Sequence, residues 1–219
     1  MIKVISLNVD GSTIDKIPFD KLFWYEEIPL EYSRIHKISL DKSKAIVEQA
    51  YRDISLFDPD WYRPEVWFKK LDIHPDQDRM LKNLKATYVP YRDAKSVLDH
   101  LYATHKYKLV AVSDFSKSYL TFKFRAADIQ GVFHRVFAAC DDLKKVKQDA
   151  SVFKDILQAF GVKPEEVVHV GCDPHVDCTV PRSLGVQAFL LDRDRVHKKE
   201  QSITSLTGLK QMVEELNRR

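Results

Sequence analysis

Glycine is scarce in this chain, six among 219 residues, and the scarcity excludes whole classes of protein. Dinucleotide-binding and P-loop proteins cradle phosphates on closely spaced glycines after a strand. No G-x-G-x-x-G or G-x-x-x-x-G-K run occurs here. Cysteine is rarer still: Cys140, Cys172 and Cys178 are odd in number and form no C-x-x-C. Neither a disulfide framework nor a zinc ribbon is available, and a reducing cytosol is the expected setting. No apolar run approaches the roughly 20 residues of a membrane span. The strand-like start leaves no signal peptide to expect. Neither sign of charge dominates, since 35 Lys and Arg stand among 32 Asp and Glu, scattered along the chain. That balance gives no nucleic-acid footprint. The most basic run, Arg193 to Lys199, holds Asp194 inside it and reads as a solvated loop.

What is present fits a soluble globular protein long enough for one domain or a core with an insertion. Five short, mostly apolar runs read as buried parallel strands: Ile2 to Leu7, Lys108 to Val112, Val136 to Ala139, Val167 to Val170 and Gln187 to Leu191. Helical patterns lie between them. Val97, Leu98, Leu101 and Tyr102 share one face of 92–105, and Phe153, Ile156, Leu157 and Phe160 share one face of 150–160. Gly161 stops the second helix, with Pro164 beyond. Leu206, Leu209, Val213 and Leu216 form a last amphipathic helix with Ser205 as its N-cap. Alternation of this kind predicts an α/β fold, a doubly wound parallel sheet covered on both faces.

Residues 14–90 break the alternation. They carry helical patterns, such as 42–54 and 64–71, and many aromatics, but no core strand. The expected organisation is an α/β core from 1–13 and 91–219, with a helical cap of 14–90 inserted after the first strand. Packing within the helices accounts for most of those aromatics. Trp61, Tyr62 and Trp67, if exposed, are the first candidates for a partner surface.

Four stretches carry the chemistry. The first strand runs into NVDGS (Asn8 to Ser12). The second ends in VAVSDFS, with Ser113 at the strand end, where a hydroxyl binds an anion or caps a helix. KKVKQDASVF offers Lys147, with Lys144 and Lys145 close by. VVHVGCDPHVDCTVPRSLGVQAFLLDR runs from strand through turn and helix to strand. In this order the four resemble the motifs of the haloacid dehalogenase (HAD) superfamily, most closely its cap-bearing phosphatases and dehalogenases, over essentially the whole chain.

The resemblance implies roles. Its first motif, D-x-D-x-T, supplies a nucleophilic Asp that becomes an aspartyl-phosphate and a second Asp that protonates the leaving group. Asn8 holds the nucleophile's place and Asp10 the acid/base's. Ser113 and Lys147 match the residues that bind phosphoryl oxygen and neutralise charge, although Gln148 stands where proline is common. The last motif's acids hold Mg²⁺, together with the positions of Asn8 and Asp10. Asp177 matches one acid, but Cys172 replaces the other, a soft ligand where a hard cation wants oxygen. Asp173 reaches the metal only if the turn re-forms. His169 and His175 read as structural or solvent-facing.

Two departures, at Asn8 and Cys172, strike the nucleophile and the cofactor together. The favoured expectation is a phosphatase-type hydrolase scaffold, catalytically impaired, with Mg²⁺ weakened or absent. It would bind a phosphorylated small molecule or a protein partner, since Lys147 with fewer carboxylates makes the site more positive. The alternative is an active Mg²⁺-dependent phosphomonoester phosphatase in which Asn8 was introduced for a natural Asp. An unrelated nucleotide-binding module is disfavoured by the missing Gly-rich loops.

Overall fold

A computed structural model of the chain describes residues 1–197 and 202–218. Six parallel strands form one sheet in the order β3-β2-β1-β4-β5-β6. They are β1 (Val4–Asn8), β2 (Lys108–Ser113), β3 (Arg135–Ala138), β4 (Val167–Gly171), β5 (Gln187–Leu191) and β6 (Ser202–Ile203). All five residues of β1 are buried, as are those of β4, because helices cover both faces of the sheet. The doubly wound expectation therefore holds. The sixth strand was missed, since two residues cannot display a period.

The chain from β1 to β2 is helical. α1 (Ile17–Leu22) passes through a π-helical turn at Phe23–Glu27 into α2 (Ile28–His36), followed by α3 (Leu40–Arg52), α4 (Pro64–Lys70), α5 (Gln77–Leu84) and α6 (Arg92–Ala103). α3 starts where Ser39 caps Lys42 N–H, and α5 where Asp76 caps Arg79 N–H. Next come α7 (Lys117–Ala126), α8 (Ser151–Phe160), the short α9 (Val180–Arg182) and α10 (Thr207–Arg218). Gly161 ends α8 in the left-handed region at φ 60°, the conformation a C-terminal glycine supplies without strain. Ser205 Oγ accepts from Thr207 N–H at 3.2 Å at the start of α10, and Asp93 accepts from Leu206 N–H at 2.8 Å.

One large apolar cluster joins Leu7, Leu98 and Leu109 of the core to Phe19, Phe23, Trp24 and Trp67 of the helical stretch. Trp67 is completely buried and donates to the Trp61 carbonyl at 2.8 Å, so it offers nothing to a partner surface. Tyr62 O accepts from Ser116 N–H at 3.2 Å, and Arg63 pairs with Asp141 at 3.1 Å. These contacts tie the helices to the C-terminal edge of the sheet. The basic run near the end of the chain is not simply solvated: Arg193 is largely buried and pairs with Asp93. Lys198 and Lys199, which close that run, lie outside the described residues.

Candidate active site

β1, β2 and β4 are adjacent, and the sheet order reverses about β1, which makes the C-terminal ends of these strands a topological switch point. Asn8 ends β1 opposite Val112, Ser113 ends β2, and Cys172 follows β4. Asn8 is buried between two neighbours that fix its amide. Lys147 Nζ donates to Asn8 Oδ1 at 2.9 Å, while Asn8 Nδ2 donates to the Asp10 carbonyl at 2.8 Å. Flipping the amide would set N–H against ammonium and oxygen against oxygen. Nδ2 also points at Cys172 Sγ at 3.6 Å, and the thiol donates to the same Asp10 carbonyl at 3.4 Å.

Beneath Asn8 runs a buried polar chain. Lys147 Nζ donates to Asp177 Oδ1 at 2.7 Å, and His169 Nε2 lies 3.4 Å from the same oxygen. His169 Nδ1 meets Ser6 Oγ at 3.0 Å, which makes this histidine structural. Asp173 N–H donates to Asp177 Oδ2 at 3.0 Å. Burial opposes the charge on Lys147, but Asp177 and Asp114 more than offset it and raise its pKa. Burial likewise opposes ionisation of Asp177, yet Lys147 and His169 hold the carboxyl well below the usual range. A Cβ at Gly171 would collide with the Asp177 carboxyl, so this glycine is dictated by the acid. Of the three neighbouring lysines, Lys147 alone enters the site; Lys145 pairs with Asp155 at 2.7 Å, and Lys144 takes a left-handed turn.

Asp10 points the other way, toward α7. Its Oδ1 accepts from Lys123 Nζ at 2.5 Å and its Oδ2 from Ser113 Oγ at 3.3 Å. Ser113 Oγ also accepts from Phe115 N–H, whereas the N-cap of α7 is Ser116. Asp173 turns its carboxylate into its own loop, where Oδ1 accepts from the N–H groups of His175 and Val176 at 2.8 Å each. His175 is exposed.

Above these residues a cavity of about 450 Å³ lies between the sheet edge and the helical stretch. Asn8, Asp10, Ser113, Lys147, Cys172 and Asp177 form its polar side. Trp24, Tyr51, Trp61, Tyr62 and Phe115 supply aromatic faces. Aromatics of the helical stretch therefore serve both packing and cavity wall. The cavity is lined by five aspartates, Asp20, Asp114 and Asp173 joining Asp10 and Asp177, against Lys16, Lys123 and Lys147. By formal count, carboxylates outnumber ammonium groups in the lining.

These residues do not fit Mg²⁺. A hard cation needs several converging oxygens. Here Asn8 turns N–H rather than oxygen toward the Asp10 carbonyl, and that carbonyl already accepts from two donors. Cys172 offers a thiol whose pKa is raised by burial, then by Asp177. Both Asp177 oxygens are engaged within the protein. No group of three His, Cys, Asp or Glu suited to a metal occurs among the described residues.

Fold and site together define a doubly wound α/β scaffold with a cavity at the switch point. The haloacid dehalogenase-like hydrolase family profile matches residues 19–185. The chain belongs to that family. The match begins after the first motif, so it does not depend on Asn8 or Asp10. Among solved structures, a HAD phosphatase from Thermococcus onnurineus superposes with TM-score 0.83 at 22% identity, covering 97% of this chain and 98% of that one. A 2-haloacid dehalogenase from Pseudomonas syringae pv. Tomato gives 0.69 at 16% identity over 98% and 99%. The HAD hydrolase YfnB from Bacillus subtilis, in a structure bound to magnesium, gives 0.69 at 14% over 97% and 99%. No curated protein sequence matches significantly.

Sequence reasoning missed Lys123, Asp20, Asp114 and the position of Gln148. For Lys123 a signal existed. Tyr119, Leu120 and Phe124 form the apolar stripe of α7, and Lys123 sits within it, buried to 1% exposure. A lone lysine on an apolar helical stripe announces a buried partner.

Proposed function

We propose that this chain is a HAD hydrolase scaffold of the phosphatase type that has lost metal-dependent turnover and keeps its cavity as a small-molecule site. One observation carries the reading: the Asn8 amide N–H donates to the Asp10 carbonyl, closing with Cys172 a hydrogen-bonded network where the family places oxygen ligands for a metal. An amide is a poor nucleophile, and removing a covalent nucleophile costs about 10⁴ to 10⁶ in turnover. The cavity and its aromatic wall favour a small molecule over a protein as the ligand. A phosphorylated ligand, which the resemblance implies, would find Ser113 and Lys147 in place. It would also find Lys147 and Lys123 already matched to Asp177 and Asp10, and carboxylates facing its charge.

The second reading, an active phosphatase with aspartate at position 8, is favoured by Asp10, Ser113 and Lys147 standing together around that position. A carboxylate there would attack phosphorus, and Asp10 would protonate the leaving alcohol. Against it, Asp10 already accepts from Lys123 and Ser113.

Hydrolysis of p-nitrophenyl phosphate with Mg²⁺ separates the two. The unaltered chain and Asn8→Asp are expected at background, with turnover rising only in Asn8→Asp with Cys172→Asp. Restoration by Asn8→Asp alone would establish the second reading, and turnover by the unaltered chain would overturn the first.

A further inference from the structure

Carboxylates outnumber ammonium groups in the cavity lining. Two of its three ammonium groups are matched, Lys123 to Asp10 and Lys147 to Asp177, and the third, Lys16, is exposed. Asp20 remains on the acidic side, while Asp114 accepts from Lys147 N–H and Asp173 from the N–H groups of its own loop. Gln148 lines the same space, and its Oε1 is buried with no hydrogen-bond partner.

The walls agree with the charge. Trp24 lies one helical turn from Asp20, and its ring packs 5.3 Å from Trp61 and 5.6 Å from Tyr51, centroid to centroid. Trp24 sits on the π-helical turn, an irregularity often found where a helix serves a ligand. Aromatic faces beside a carboxylate hold organic cations, since the ring face is the negative end of its quadrupole. The chain already uses this arrangement on one of its own groups. Lys123 Nζ lies 4.2 Å from the Phe19 ring centroid and 4.5 Å from that of Phe115 while it donates to Asp10.

We propose that the cavity takes an organic ammonium ion, a protonated amine on a small apolar body, with its charge between the Asp20 carboxylate and the Trp24 and Trp61 rings. This deepens the small-molecule reading of the same site and rests on it for the cavity, not for the loss of turnover. Burial first, and Asp10 second, push the Asp20 carboxyl up to about 6, a cost to its charge. An ammonium ion beside it relieves that cost.

The test is titration of n-butylammonium, n-butanol and n-butyl phosphate into the native chain at pH 8, by calorimetry and by the fluorescence of the cavity tryptophans. The ammonium is expected to bind at least about tenfold more tightly than the alcohol, with the phosphate weakest. Asp20→Asn should lower ammonium affinity by about tenfold and leave the alcohol unchanged. Equal binding of ammonium and alcohol, preference for the phosphate, no binding of the ammonium, or an Asp20→Asn chain that binds it undiminished would each overturn the proposal. None of these outcomes bears on phosphatase turnover, which the reversion assay reads separately.

Discussion

Asp20 is a carboxylate placed where its charge is unwelcome. Burial is the main cause and Asp10 the next, with Lys123 and Lys16 working against them and Asp15 adding to the repulsion. A carboxyl whose folded pKa of about 6 exceeds its unfolded value binds its proton more tightly when folded. Its contribution to stability is therefore present at low pH, is lost as pH rises from about 4 to about 6, and stays lost above. Asp20→Asn is expected to stabilise the fold at pH 8 by about 1–2 kcal/mol, discounted for the partial exposure of the carboxyl, and to change little at pH 4. Denaturant unfolding at the two pH values checks this, and an equal gain at both would contradict it. Such a residue cannot be read from sequence, because its character comes from what buries it. Asn8 and Cys172 could be read, since the family pattern names the acids they replace.

Among the elements, the loop after β5 shows how far a local reading reaches. Arg193 donates to both Asp93 oxygens at 3.0 Å and to the Ser12 carbonyl at 2.8 Å, and its guanidinium stacks 3.8 Å over Tyr91. Asp93 also accepts from Ser205 Oγ at 2.6 Å and Leu206 N–H at 2.8 Å. One carboxylate at the start of α6 thus fixes the loop after β1, the loop after β5 and the entry to α10. Asp93→Ala is expected to cost about 2–4 kcal/mol, since it strands a largely buried guanidinium and uncaps a helix. Thermal unfolding checks it, and a loss below about 0.5 kcal/mol would show the latch to be ornamental. α6, α8 and α10 were legible because their apolar residues recur at the helical period over three turns. The role of Arg193 was not, because its partner lies 100 residues away. A charge run is read by composition, and composition carries no partner.

At the scale of the whole molecule, the β-α alternation, the family motifs and the interruption of 14–90 made the doubly wound architecture readable. The central strands β1 and β4 are buried along their whole length and so are mostly apolar, which is the clearest signal such a fold gives. The location of the cavity followed from the switch point. Its charge did not, because the third and fourth aspartates come from elements that meet only in the folded chain: Asp20 from α1 and Asp114 from the end of β2. The family keeps a metal among such acids. On the proposed reading, the hydrogen bonds of Asn8 and Cys172 close the network here instead, supported by the buried Lys147 to Asp177 pair.

Whether that network has displaced the metal is tested most directly by calorimetric titration of Mg²⁺ into the native chain and into Asn8→Asp with Cys172→Asp. The native chain is expected to give no heat beyond dilution, and the double variant to bind in the millimolar range or tighter, with two oxygen donors restored. Saturable Mg²⁺ binding by the native chain that is lost in Asp177→Asn would contradict the account at its centre.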